Sequence, residues 1–193
     1  MTNQATPADK STEQVAIDGA TPAERIAGPA RWVVIIGTLF SLILVINQLF
    51  NLQILGKVLI EGRYLYILGG LFLALSFLIF QIRGGKGGQP SFLDWALFAV
   101  SLGCTGYLSQ TAQANLSQGW EYAAPEFAQY VSVVFFFLIL EATRRAGGLV
   151  LFCIVTLFAF YPTFAGNVPD PFSGFQSTFM QTVPYHIFSA ESS

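Results

Sequence analysis

Three charged residues stand close enough together to do chemistry: Glu141, Arg144 and Arg145, at i, i+3 and i+4 of an otherwise apolar run. On a helix this spacing brings both guanidinium groups within reach of one carboxylate. Such a trio could relay an ion or a substrate, or it could anchor a helix end or a subunit contact. The anchor fits better, because the apolar spans elsewhere carry no second charge for a relay to reach. His186 has no Cys or carboxylate cluster at metal-ligand spacing. Cys104 and Cys153 sit in separate apolar runs without a CxxC pair and read as small packing residues. No G-x-S-x-G elbow occurs. The run from Arg83 to Pro90, RGGKGGQP, lacks the GxxxxGK[ST] spacing of a phosphate loop and reads as a flexible turn. Nothing in the chain points to an enzyme, a cofactor or a metal.

Five uncharged stretches position these residues. They are Trp32 to Phe50, Tyr64 to Ile82, Trp95 to Trp120 (starting near Leu93), Phe127 to Leu140, and Gly148 to about Ala165. A bilayer core of about 30 Å takes about 20 helical residues. The fourth stretch is short, but its ten Leu, Ile, Val and Phe residues contribute up to about -3 to -6 kcal/mol on an insertion scale. Pro125 suits a first helical turn, and Arg144 and Arg145 suit a last one. Counted from Pro125 to Arg144, this helix spans.

The composition agrees. The chain of 193 residues is 53% hydrophobic and 10% charged, with 19 Phe, against about 25% charged in soluble domains. Its mean hydropathy is +0.57. A net charge of -2 gives no grounds for a nucleic-acid partner; the expected surroundings are lipid. The fold class expected is an all-α integral membrane bundle: four scaffold helices over 30–146, then a connecting helix and an interfacial segment over 147–193. Residues 1–29 mix Asp9, Lys10, Glu13, Asp18, Glu24 and Arg25 with Thr, Ala and Gln, and read as a disordered cytoplasmic tail.

Charge placement orients the bundle. With the N-terminus inside, the inner flanks hold Arg25, Arg31, Arg83, Lys86, Arg144 and Arg145, whereas the outer loops hold Lys57 and Arg63 beside Glu121 and Glu126. The positive-inside tendency selects this arrangement. Gly147-Gly148 then makes a tight inner hairpin, and the chain beyond Gly166 lies outside.

Finer features follow from spacing. Ala96, Ala99, Gly103 and Gly106 share one face of the third span and predict close packing against a neighbour, in this chain or in a partner. Gly70 and Ala74 offer a weaker version on the second. Gln110, Thr111, Gln113, Asn115 and Ser117 read as a helix leaving the bilayer, with Trp120 and Tyr122 in an interfacial aromatic belt. The alternative is a polar cavity or docking surface at the outer face. Phe172, Phe175 and Phe179 predict a short amphipathic helix lying in the interface and broken near Pro184. The chain stops at Ser193 without a closing element, as if cut from a longer protein.

The run Leu140-Glu141-Ala142-Thr143-Arg144-Arg145, followed by Gly147-Gly148 and an apolar helix, resembles the small-subunit region of fused tripartite ATP-independent periplasmic (TRAP) transporter permeases. Pro90 to Trp95 (PSFLDW) and the tail from Tyr185 to Ser192 fit the same pattern, and the resemblance covers roughly residues 30–193. It implies a four-helix scaffold for a large transport region, joined by an additional helix. That large region would use a sodium gradient to take up an organic acid delivered by a periplasmic binding protein. Dicarboxylates or related acids are the substrates it suggests. The expected location is the bacterial inner membrane, with the N-terminus cytoplasmic and the C-terminal end periplasmic. Sodium and substrate sites belong to the large region, so none is carried over, and Glu141, Arg144 and Arg145 receive assembly roles only. Two other readings stand beside this one. A free-standing membrane interaction protein would need no transport partner, and a quinone-linked membrane oxidoreductase would need a cysteine pair or a His-rich cofactor face.

Overall fold

The structure is a computed structural model that describes residues 26, 28–52, 60–82 and 89–189. The expected disordered tail therefore lies almost wholly outside the described residues, as do Lys57, Arg83, Lys86 and Glu191. Among the described residues all regular structure is helical. Helix α1 spans Pro29–Leu49, α2 Glu61–Ile79, α3 Phe92–Gln118, α4 Trp120–Ala123, α5 Glu126–Phe164 and α6 Phe179–Phe188, with a 3-10 turn at Ala165–Asn167 between the last two.

Four of these helices, α1, α2, α3 and α5, are long and apolar enough to cross a membrane, and the chain is a multi-pass membrane protein. At a rise of about 1.5 Å per residue, the 21 residues of α1 and the 19 of α2 reach about 31 and 28 Å, one bilayer core. The termini follow local chemistry. Pro29 occupies the first turn of α1, where its missing N–H costs nothing. Past the other end, Asn51 takes a left-handed φ of 49°, which Asn tolerates, and Leu52 N–H returns to the Asn47 carbonyl at 3.1 Å. Helix α3 starts with a reciprocal capping box between Ser91 and Asp94 and stops at Gly119, whose φ of 63° an L-residue adopts rarely.

The five apolar stretches of the sequence form four helical elements, because the fourth and fifth join in α5. That helix has 39 residues, yet it is not one rod. Gly148 has φ 74° and ψ -176°, a backbone region open essentially to glycine alone. The Phe136 and Phe160 rings, twelve residues to either side of it, meet edge to face with centroids 5.6 Å apart. Along a straight helix those 24 residues would separate the rings by about 36 Å. The two arms are thus antiparallel, and the hairpin expected at Gly147-Gly148 is present.

Packing is tightest between α2 and α3. A Cβ on Gly70 would fall inside the Thr105 hydroxyl, and Ala74, Ser101, Leu108 and Ala112 are buried nearby. Helix α1 lies on α2, with Gly37 against the Leu75 side chain, 2.9 Å from where a Cβ would stand. Trp32, Ile36, Leu39, Phe40 and Ile43 of α1 face outward, a face that suits lipid. Phe77 of α2 packs with Leu138 and Ala142 of the first α5 arm.

The C-terminal stretch departs from expectation. Phe172 and Phe175 lie in non-helical, exposed chain, and the helix begins only after Thr178, which forms a capping box with Gln181. Pro184 does not break it. The helix runs through to Phe188 with Thr182, Val183, Pro184 and Phe188 buried. Burial against Phe136 and Leu140 of α5 outweighs the one backbone hydrogen bond that the proline removes. The segment 169–178 folds back over the end of α5, with Ser177 N–H on the Pro162 carbonyl at 2.9 Å and the Tyr161 hydroxyl on the Phe172 carbonyl.

Candidate functional site

Helix α5 carries Glu141, Arg144 and Arg145 on one turn just before the hairpin. Arg144 makes a bidentate pair with Glu141, Nε to Oε2 at 2.8 Å and Nη2 to Oε1 at 2.7 Å. Arg145 Nε reaches the same carboxylate at 2.8 Å. Its Nη1 also turns inward and donates to Asp94 Oδ1 at 2.7 Å and to the Phe80 carbonyl at 3.4 Å. The Arg145 guanidinium stands 5.0 Å from the centre of the Phe77 ring, a cation–π distance. The Arg145 side chain is 4% exposed and Asp94 0%, whereas Arg144 is 44% exposed.

Asp94 is the fourth charged member of this cluster. The expectation that the other spans offer no charge for the trio to reach does not hold: Asp94 lies in the first turn of α3 and is sealed against Arg145. It has two tasks. Oδ2 accepts the Ser91 N–H at 2.9 Å, completing the cap, while Oδ1 accepts from Arg145 and from the Ile82 N–H at 3.4 Å. The sequence carried a signal in Ser91-x-x-Asp94 before an apolar run, the pattern of a capping box. A second signal was charge balance. Two arginines beside one glutamate leave a cation that needs a partner if it is buried.

Together the four side chains are neutral, two carboxylates against two guanidiniums. Arg145 ties α5 to the end of α2 through the Phe80 carbonyl and to the start of α3 through Asp94.

The small residues of α3 are placed differently from the packed ones. Ala99 and Gly103 are exposed, Ala96 and Gly106 are half-buried, and nothing in the chain stands within 4 Å of a Cβ built on Gly103 or Gly106. Asp94, Ser101, Thr105, Leu108, Ala112 and Asn115 form the buried face instead. Gly70 and Ala74, the weaker pattern, make the close helix contact.

A second polar cluster closes the opposite end of the bundle. Asn115 Nδ2 donates to the Phe188 carbonyl at 3.0 Å and to the Tyr66 hydroxyl at 3.3 Å, and Tyr66 donates to the Ile187 carbonyl at 2.8 Å. The last carbonyls of a helix lack intrahelical donors, and here side chains of α2 and α3 supply them to α6. Trp120 is buried edge-on against Phe188, with its indole N–H on Gln118, so it is not part of an exposed aromatic belt; Tyr122 is exposed. Gln110, Gln113 and Ser117 are exposed as expected, but Asn115 is buried. Arg63 Nε donates to the Ser109 carbonyl at 2.9 Å at the same end. His186 lies 3.0 Å by Nε2 from the Ala159 carbonyl and stacks on Phe136. Both cysteines are free thiols, and among the described residues no three of His, Cys, Asp and Glu converge to hold a metal ion.

Comparison of the chain with protein-family models, with curated proteins and with solved structures returns no match.

Proposed function

We propose that this chain is the membrane scaffold, with no catalytic role of its own, of a sodium-coupled secondary transporter that takes up an organic acid delivered by a periplasmic binding protein. The observation that carries the reading is the run from Glu141 to Gly148. Its sequence resembles the small-subunit region of fused TRAP permeases, and its residues make a structural corner: a neutral ion-pair clamp followed at once by a glycine hairpin. A clamp of that kind suits a rigid support for a separate transport region. The partners in this reading are a large membrane subunit or fused region, the binding protein and the lipid of a bacterial inner membrane.

The proposed orientation puts the Arg145–Asp94 end in the cytoplasm and α6 at the periplasmic side. Positive-inside counting supports it; Gly28, just before α1, stands beside Gln89 of the loop preceding α3, so the two helices start at one end of the bundle. A test is uptake of labelled dicarboxylate by cells that express the chain with its large region and binding protein. Sodium-dependent uptake that disappears when this chain is omitted, while the large region still reaches the membrane, is the expected outcome. Undiminished uptake without the chain, or a chain that never co-purifies with a large membrane partner, would leave a free-standing membrane interaction protein in its place.

A further inference from the structure

At the end of the bundle away from the hairpin, a half-open cavity of about 720 Å³ lies between α4, both ends of α5, the segment 175–177 and one face of α6. That size falls within the range of small-molecule sites, about 300–1,000 Å³. Its wall includes the rings of Trp120, Tyr122 and Tyr185, the last two with centroids 6.4 Å apart, together with Glu121 and the amide of Gln129. No Lys or Arg lines it, and among the described residues Glu121 has no ion-pair partner. Gln129 Nε2 donates to the Ala124 carbonyl and His186 Nε2 is engaged with the Ala159 carbonyl. The cavity therefore brings three aromatic rings together with neutral polar groups and Glu121, a carboxylate with no ion-pair partner among the described residues.

Aromatic faces attract cations through the ring quadrupole, most effectively where the cation is poorly hydrated, as in quaternary ammonium groups. We infer that this cavity binds an alkylated ammonium group, with Glu121 as its counter-ion and Trp120, Tyr122 and Tyr185 as its walls. The group comes either from a free solute such as choline or from a lipid head group at the membrane face. The charge preference is opposite to that of an organic acid, so this site is separate from any transport substrate and does not rest on the transporter reading.

Trp120 supplies the readout. The full chain carrying Trp32→Phe and Trp95→Phe, purified in a maltoside detergent without ammonium groups, is titrated with choline chloride against sodium chloride at equal ionic strength. Saturable change in Trp120 emission is expected, weakened by about tenfold or more in Glu121→Gln and also in Tyr185→Leu. Glu126→Gln, a nearby carboxylate outside the cavity wall, should leave it unchanged. Circular dichroism and gel filtration establish that each variant is folded. The same titration in nanodiscs separates the sources: a response in phosphatidylglycerol that vanishes in phosphatidylcholine assigns the lipid head group, and a response in both assigns the free solute. No saturable response in maltoside, an unaltered response in folded Glu121→Gln, or stronger binding of succinate than of choline would overturn the site.

Discussion

Where α5 turns at Gly148, formal charges fasten the bundle: Arg145 is enclosed by Asp94, Glu141 and the Phe80 carbonyl. At the far end, mainly neutral groups do the same work, with Asn115 and Tyr66 holding the Ile187 and Phe188 carbonyls under the Trp120 ring. Both clusters join α2, α3 and a later helix, so their structural task is alike. They differ in what a broken contact leaves behind. Removing Arg145 strands a buried carboxylate, and removing Asn115 strands only a carbonyl dipole. The charged end should thus be the more fragile to single substitutions and the more forgiving when both partners are replaced together.

The largest effect is expected at Arg145. Arg145→Ala should cost about 3–5 kcal/mol, the range for a buried ion pair deprived of one member, read as a lowered midpoint for unfolding of the purified protein in detergent. Replacing both partners, Arg145→Met with Asp94→Leu, should recover most of that loss. If the double variant is no better than the single one, charge is not what distinguishes this end. Gly148→Ala comes next, at about 1–3 kcal/mol for a Cβ in a glycine-only backbone region. A cysteine pair labelled near Phe136 and Phe160 should report the arms separating, and unchanged proximity would mean that the hairpin tolerates a Cβ.

At the neutral end, Asn115→Leu should cost about 1 kcal/mol, since side-chain hydrogen bonds between membrane helices average about 0.6 kcal/mol. Hydrogen exchange should rise at residues 185–189 and not near Gly148. A loss as large as that of Arg145→Ala would erase the contrast between the ends. Arg144→Ala is the smallest, about 0–1 kcal/mol, because its pair with Glu141 is exposed. Its unfolding midpoint should lie close to that of the parent chain although it neighbours Arg145.

Much of this architecture is legible in the chain. Helices α1 and α2 begin and end within three residues of the uncharged runs that foretell them, because lipid admits few charges inside a span. The Gly147-Gly148 hairpin is legible too, since two glycines between apolar runs leave no other turn of comparable ease. The face of α3 is not. Ala99 and Gly103 face outward, which leaves the expected close neighbour to a partner, whereas Thr105 looks ordinary and meets Gly70, with Ser101 buried one turn before it. In a soluble helix, the polar side would have marked the outside. On α3 that rule does not apply, and Asp94, Ser101, Thr105 and Asn115 lie on the buried face. The tail helix escaped for a related reason: the Phe172, Phe175 and Phe179 spacing suggests one helix, but the Thr178–Gln181 cap starts another, and Pro184 is tolerated only because the bundle receives it.

The sequence by itself determined that this is an all-helical membrane chain, where its spans run, where it doubles back, and that Glu141, Arg144 and Arg145 share a helical turn. These properties depend on contacts between near neighbours and on transfer from water to lipid, and each is written into a short stretch of chain. Only the tertiary structure decided that Arg145 pairs with Asp94, 51 residues away, that Asn115 and Tyr66 cap α6, and that Glu121 faces an aromatic cavity. Each of those rests on which side of a helix turns inward, and that choice is made by close packing between helices remote in sequence, which no short stretch of chain contains.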